Sequence, residues 1–419
     1  MVGTNNLRSN LSDVFSEKQL SQIVKSSVGE GGKVIDGYVK PVADGIAGFL
    51  GDHFKVTLEV QVSGQVTCLH LFVKRLPVNN KPKAEFIDSQ HFFRRERLIF
   101  ELFEEFEDVG DPNPWNVKAY LYSDSMLVLP DLDIQGYRSR HHLDTFDLPH
   151  ATVTITSIAR FHATFANYET KNILNGRSEY NFYKQHEHLL NEPTFKDCPW
   201  LRAAAKCISD ILNTFSAKYV GLPELENSIV KLFIEACDSL TVVKDGFNVL
   251  IHKDLWANNI MFKYEDCNPN NAVIIDYQCI RYSAPTFDVM TFLYLTTSKS
   301  FRQQHETGIF EHYYTIFSKH LNENTKLRLK RIGYNWEEFL KSCENSRMFG
   351  IFQALGICPY ILLDPKTAAA TFDDPETFQK HNFEDRSAPL IRYARTCNVY
   401  RERLVELSEE FVERYLLKK

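Results

Sequence analysis

Val249–Phe262 reads VLIHKDLWANNIMF, and Val273–Gln278 reads VIIDYQ. Two short β-like runs, Leu250–Ile251 and Ile260–Tyr264, flank a polar loop, and a third, Val273–Ile275, ends in an aspartate. His252, Asp254, Asn259 and Asp276 are thereby set in a fixed order where strands end, so rigid backbone can hold their geometry. Phosphoryl transfer asks for this layout: one carboxylate orients an attacking hydroxyl, while an amide oxygen and a second carboxylate hold magnesium on nucleotide phosphates. Taken alone, Asp254 and Asn259 could simply cap turns. With Asp276 on the next strand, HxDxxxxN becomes a specific pattern of kinase-like phosphotransferases.

Working outward, the chain changes character near Pro130. Before it, Phe54–Val62 and Val66–Lys74 form strands joined by the hairpin signal Ser63–Gly64, preceded by the glycine-spaced stretch Gly45–Phe54. Ser12–Val24 reads as an amphipathic helix capped by Ser12 or Asp13, and Glu85 to about Glu107 as another helix. Val117–Tyr122 and Met126–Leu129 form a further β pair. After Pro130 helices dominate: Leu148–Asn167, Leu201–Tyr219, Glu224–Leu240, Phe287–Thr297, Gln303–His320, Trp336–Ala354 and a terminal helix from Asp385 to Leu417. The expected architecture is α+β and bilobal. A small β-rich lobe spans residues 1–129, a hinge 130–136, and a larger, mostly helical lobe 137–419, with the nucleotide in the cleft between them.

The 419 residues suit two or three domains, and 44% hydrophobic with 24% charged residues suits a globular fold. A net charge of −6 argues against a nucleic-acid surface. The densest basic cluster, Arg94–Arg97, sits in a helical pattern and reads as a solvated face. Nine cysteines without a CxxC pair argue against a disulfide framework or zinc site. No apolar run is long enough to span a membrane, and the N-terminus lacks a signal-peptide core. A cytoplasmic location and no membrane partner are the expectation. His162, on the apolar face of a helix, reads as a core histidine.

Several segments together resemble the ecdysteroid kinase-like family, within the wider group of aminoglycoside-phosphotransferase and choline-kinase-like enzymes that share the protein-kinase fold. They are LFVKRLP (Leu71–Pro77), FFRRERLIFELF (Phe92–Phe103), LVLPDLDIQGYR (Leu127–Arg138), IARFHATF (Ile158–Phe165), HKDLWANNIMF (His252–Phe262) and IDYQCIRYSAPTFDVMTFL (Ile275–Leu293). The resemblance implies ATP and magnesium as cofactors. It makes Asp254 the catalytic aspartate, grouped with His252 and Lys253, and makes Asn259 and Asp276 the metal ligands. Lys74 would contact the α and β phosphates and pair with Glu96. Gly48 and Gly51 would form the loop over the phosphates, and Leu129, Asp131 and Leu132 the hinge that meets adenine. Asp288 would bond the backbone of the catalytic loop, a structural role. Two positions depart from the family. Lys253 stands where glycine is common; it could contact the γ-phosphate, or disturb the loop if the position needs positive φ. Pro130 stands where an acidic residue is common.

Asp276 and Asp288 are separated by only twelve positions, and no APE element follows. That leaves no room for a peptide-docking segment and favours a small hydroxylated substrate over a protein. The aromatics Tyr313, Tyr314, Phe349, Phe352 and Tyr360 suit an apolar body, although core packing would explain them equally. The resemblance implies an ecdysteroid or another apolar alcohol, such as a xenobiotic, as acceptor. The competing expectation is a catalytically weak ligand- or nucleotide-binding protein on the same fold.

Overall fold

The structure is a computed structural model, described at residues 10–42, 50–106, 112–175, 180–192 and 195–417. Its N-terminal part is an antiparallel sheet in the order β1 (Lys33–Pro41), β2 (Asp52–Val62), β3 (Gln65–Arg75), β5 (Met126–Pro130), β4 (Leu121–Tyr122). Ser63 and Gly64 both take positive φ, at 50° and 83°, which is the two-residue turn that matches strand twist. It fixes the register Val62↔Gln65, and so which residues face inward. Val56, Leu58 and Val60 of β2 then share one face with Leu71 and Val73 of β3, and all are buried.

Helix α1 (Glu17–Val28) covers that face with Ile23 and Val24. It starts later than the sequence suggested. Ser16 is the cap, bonded reciprocally with Gln19, while Leu11–Asp13 forms a separate 3-10 turn. The single helix expected over Glu85–Glu107 is two: α2 (Lys81–Ser89) and α3 (Phe92–Glu105), broken where His91 takes φ 58°. Hydrophobic periodicity continues across the break, so it left no mark in the pattern.

The C-terminal part is helical around two small sheets. Its helices are α4 (Leu148–Leu174), α5 (Phe182–Leu190), α6 (Pro199–Phe215), α7 (Leu225–Ser239), α8 (Thr286–Thr296), α9 (Lys299–His320), α10 (Glu323–Arg331), α11 (Trp336–Ile361), α12 (Pro365–Phe372), α13 (Pro375–Phe383), α14 (Ser387–Thr396) and α15 (Asn398–Phe411). The expected terminal helix is therefore the pair α14 and α15. Strand β6 (Arg138–Ser139) pairs β8 (Ile260–Glu265), which pairs β9 (Asn268–Ile274). Strand β7 (Val249–Ile251) pairs β10 (Arg281–Ser283). The architecture is α+β, with a small antiparallel-sheet lobe and a helical lobe.

Helix α11 runs against α8 because Gly350 permits it: a Cβ there would lie 2.9 Å from Met290 backbone. This contact brings α11 down onto the loop between β7 and β8. The nine cysteines are free thiols. Among the described residues no single helix is long and apolar enough to cross a membrane.

Candidate active site

Asp254 lies on the loop that follows β7, and a buried carboxylate holds that loop. Asp288, at 0% exposure near the start of α8, accepts the backbone N–H groups of His252 at 2.6 Å and Lys253 at 2.7 Å. His162 reaches the same carboxylate from α4 through Nε2 at 3.1 Å, and its Nδ1 meets the Tyr313 hydroxyl at 2.8 Å. The residue that read as a plain core histidine is thus a polar strut behind the loop.

His252 closes the loop from the other side. Its Nε2 lies 2.9 Å from the Ile275 carbonyl, which can only accept, so Nε2 carries the proton. Its Nδ1 accepts the Asp254 N–H at 3.2 Å. Both ring nitrogens are committed to backbone, and burial lowers the pKa. His252 therefore positions the loop; its grouping with the catalytic residue is corrected to that role.

Asn259 ties the loop to the next strand. Its side-chain nitrogen donates to the Asp254 carbonyl at 2.8 Å and to Oδ2 at 3.2 Å. Its backbone carbonyl accepts the N–H of Ile275 at 3.0 Å, beside Asp276. The nitrogen is committed, so the side-chain oxygen is the atom left for a metal. Hard oxygens from one amide and one carboxylate fit magnesium.

Lys74 on β3 gathers the second half of the site. Its ammonium lies 2.8 Å from Glu96 Oε2 on α3, 2.7 Å from Asp276 Oδ1 and 2.9 Å from Gln278 Oε1. Burial opposes the charge on Lys74, but the two carboxylates outweigh it and raise its pKa. Glu96 moves up, through burial and the neighbouring Asp276, against the pull of Lys74. Gln278 is a partner the sequence reading passed over, although it stands inside the VIIDYQ run. Asp254 is pushed up to about 7, by burial first and by the nearby Asp276 charge second.

Lys253 occupies its position at φ 69°, so the place where the family favours glycine does need positive φ here. Its ammonium is 2.5 Å from Glu192 Oε2 and 3.9 Å above the Phe195 ring. Arg281 Nε reaches the same Glu192 oxygen at 2.8 Å. Burial pushes Glu192 up, but Arg281 and Lys253 overcome it and hold the carboxyl well below its usual range. Lys253 is therefore a clamped cation in the wall, and not a free arm toward a phosphate.

Not all expected residues meet. Gly48 lies outside the described residues; Gly51, at φ 101°, lies beside Lys74 and Arg75. At the hinge the Asp131 N–H donates to the His70 carbonyl at 2.9 Å, and its carboxylate is paired with Lys55. That N–H is thus taken, while Leu129 and Leu132 are buried in the core. The basic cluster is also corrected. Arg95 is fully buried, donating to the carbonyls of Leu189 at 2.6 Å and Gln278 at 3.4 Å, and only its neighbours form a solvated face.

Beside Asp254 and Asp276 opens a cavity of about 160 Å³. Phe86, Phe195, Trp200, Trp256 and Phe378 form much of its wall. Of the five aromatics that suited either a ligand wall or the core, only Tyr360 lines the cavity; Tyr313, Phe349 and Phe352 are fully buried in the core, and Tyr314 packs against Trp336. The N-terminal lobe joins the wall directly: Phe86 of α2 packs edge-on against Phe378 and Phe383 of α13, and Lys83 pairs with Asp373 at 3.3 Å.

A sheet lobe, a helical lobe and a carboxylate loop between them make up a kinase-like fold. The ecdysteroid kinase-like family matches residues 46–325, and the chain belongs to that family. The family places it among kinase-like phosphotransferases. Among solved structures, choline kinase LicA from Streptococcus pneumoniae aligns over 94% of this chain and 99% of its own, at 13% identity and TM-score 0.41. The GDP complex of wild-type aminoglycoside 2'-phosphotransferase-IIIa aligns over 96% and 100%, at 10% identity and TM-score 0.36. No curated protein matches the chain.

Proposed function

We propose that this protein transfers the γ-phosphoryl group of ATP to a hydroxyl of an apolar small molecule, an ecdysteroid or a xenobiotic alcohol. The observation that carries this reading is the convergence of Asp254, Asp276 and the Lys74–Glu96 pair at one edge of an aromatic cavity. Asp254 would orient the acceptor hydroxyl and take its proton as the oxygen bonds to phosphorus and the bond to the ADP oxygen breaks. Lys74 would leave Asp276 for the α and β phosphates and stay oriented by Glu96. Asn259 and Asp276 would hold magnesium, which when bound supplies charge neutralisation on the phosphates. The aromatic wall would take the apolar body by burial. Adding a phosphate brings nearly two negative charges and would keep an apolar hormone or toxin in water.

The test is incubation with ATP, magnesium and an ecdysteroid panel, followed by mass spectrometry for a phosphate adduct. Wild type should form one and D254A should not; equal formation by both sinks the reading. One observation favours a second reading, a ligand-binding protein with weak transfer: Lys253 replaces the usual glycine beside Asp254 and is clamped to Glu192. Thermal shift separates the two, since a kinase should be stabilised by Mg-ATP more than by ATP with chelator, and by less in N259A.

A further inference from the structure

Gln353 sits in the middle of α11, only 1% exposed, and lines the cavity that holds Asp254. Its side-chain nitrogen donates to the backbone carbonyl of Lys253. A carbonyl can only accept, so this contact fixes which end of the amide faces the loop. The oxygen is turned the other way. Among the described residues no donor lies within hydrogen-bond reach of Oε1. A buried amide oxygen without a donor is costly, so an orphan of this kind on a residue that lines a cavity calls for a partner that the cavity admits. Much of the surrounding wall, including Phe195, Trp200 and Trp256, is aromatic.

We infer that Gln353 is a specificity-determining residue whose Oε1 accepts a hydrogen bond from a second hydroxyl of the substrate, distinct from the one that receives phosphate. This inference rests on the cavity being the acceptor site. It narrows the substrate class to an apolar body carrying at least two hydroxyls. The two must also be correctly spaced. Gln353 is bonded to the residue next to Asp254, so its oxygen stands at a set distance from the carboxylate that orients the reacting hydroxyl. A monohydroxylated apolar alcohol would fill the wall and leave Oε1 unmet. A site built to bond a hydroxyl rejects the analogue that lacks it, because its own buried group goes unpaired.

The probes are ecdysteroids and their singly deoxygenated analogues. Binding is read without nucleotide by quenching of Trp200 and Trp256, which line the cavity. For wild type, removal of one particular hydroxyl should weaken binding about 10- to 100-fold. In Q353M the parent compound should lose the same factor, and the analogue should bind as it does to wild type. Q353A serves if Q353M does not fold. Three results overturn the inference: wild type binds no ecdysteroid, no single hydroxyl matters, or the variant keeps the discrimination while losing only kcat, which would make Gln353 a strut of the loop. Binding with this discrimination but no phosphate transfer sinks the kinase reading and leaves the Gln353 assignment standing. Transfer without discrimination does the reverse.

Discussion

The two ends of the cavity are built on opposite plans. The reactive edge comes from one short run, His252–Gln278, braced by Lys74, Glu96, Asp288 and His162 through hydrogen bonds and ion pairs of 2.6 to 3.1 Å. The apolar wall draws on α2, the segment before α6, α11 and α13, and is held by ring packing. A charge must be placed within tenths of an ångström to act on a reacting atom, whereas a hydrophobic wall needs only shape and area. Chemistry is therefore written locally and selection is assembled from distant segments.

If the comparison holds, changes at the reactive edge should act on turnover and changes at the wall on substrate affinity. The largest effect is expected for D254A, a loss of kcat of about 10² to 10⁴-fold with an unchanged thermal midpoint; a wall variant matching it would break the division. D288N should come next, because the two loop N–H groups reach different oxygens of this buried carboxylate, His252 at Oδ2 and Lys253 at Oδ1, and an amide turns an NH2 donor toward one of them. A loss of about 2–3 kcal/mol in stability should accompany the fall in kcat, measured by denaturant unfolding alongside kinetics.

The pH profile gives a smaller effect with a definite sign. Asp254 sits near 7 through burial and Asp276, and only its ionised form can take a proton. In free enzyme kcat/KM should therefore rise with pH through about 7. The Lys253 cation favours the charged form, so K253M should move that limb to higher pH; movement to lower pH would show that Lys253 does not face Asp254. Smallest of all should be Phe86→Ala at the lobe-bridging contact, raising the KM of an apolar acceptor several-fold while the KM for ATP stays put. A matching change in both would mean that α2 serves the nucleotide as much as the wall.

How much could be read beforehand follows the same division. Lys74 and Glu96 were legible because each stands in its own short pattern, and the structure sets them 2.8 Å apart. Asp254, Asn259 and Asp276 were legible because strand ends place them. Glu192 was not, since it lies in no motif and its pairing with Lys253 and Arg281 joins segments distant in sequence. Arg95 misled because a basic cluster beside apolar residues looks the same whether one arginine turns inward or all turn outward. The wall was least legible: between wall and core the sequence left Phe349 and Phe352 undecided, and they lie in the core, while Trp200 and Phe378, far away in sequence, line the cavity.

The sequence by itself determined the lobes, the family and the chemical groups, because strand and helix periods and a fixed loop spacing are local properties of the chain. Only the tertiary structure decided which aromatics line the cavity, which cation is clamped, and that Gln353 carries a buried oxygen with no donor among the described residues. Those outcomes depend on rotations of whole helices about their axes. Such rotations are set by contacts like Gly350 against Met290, between segments that no sequence window contains together.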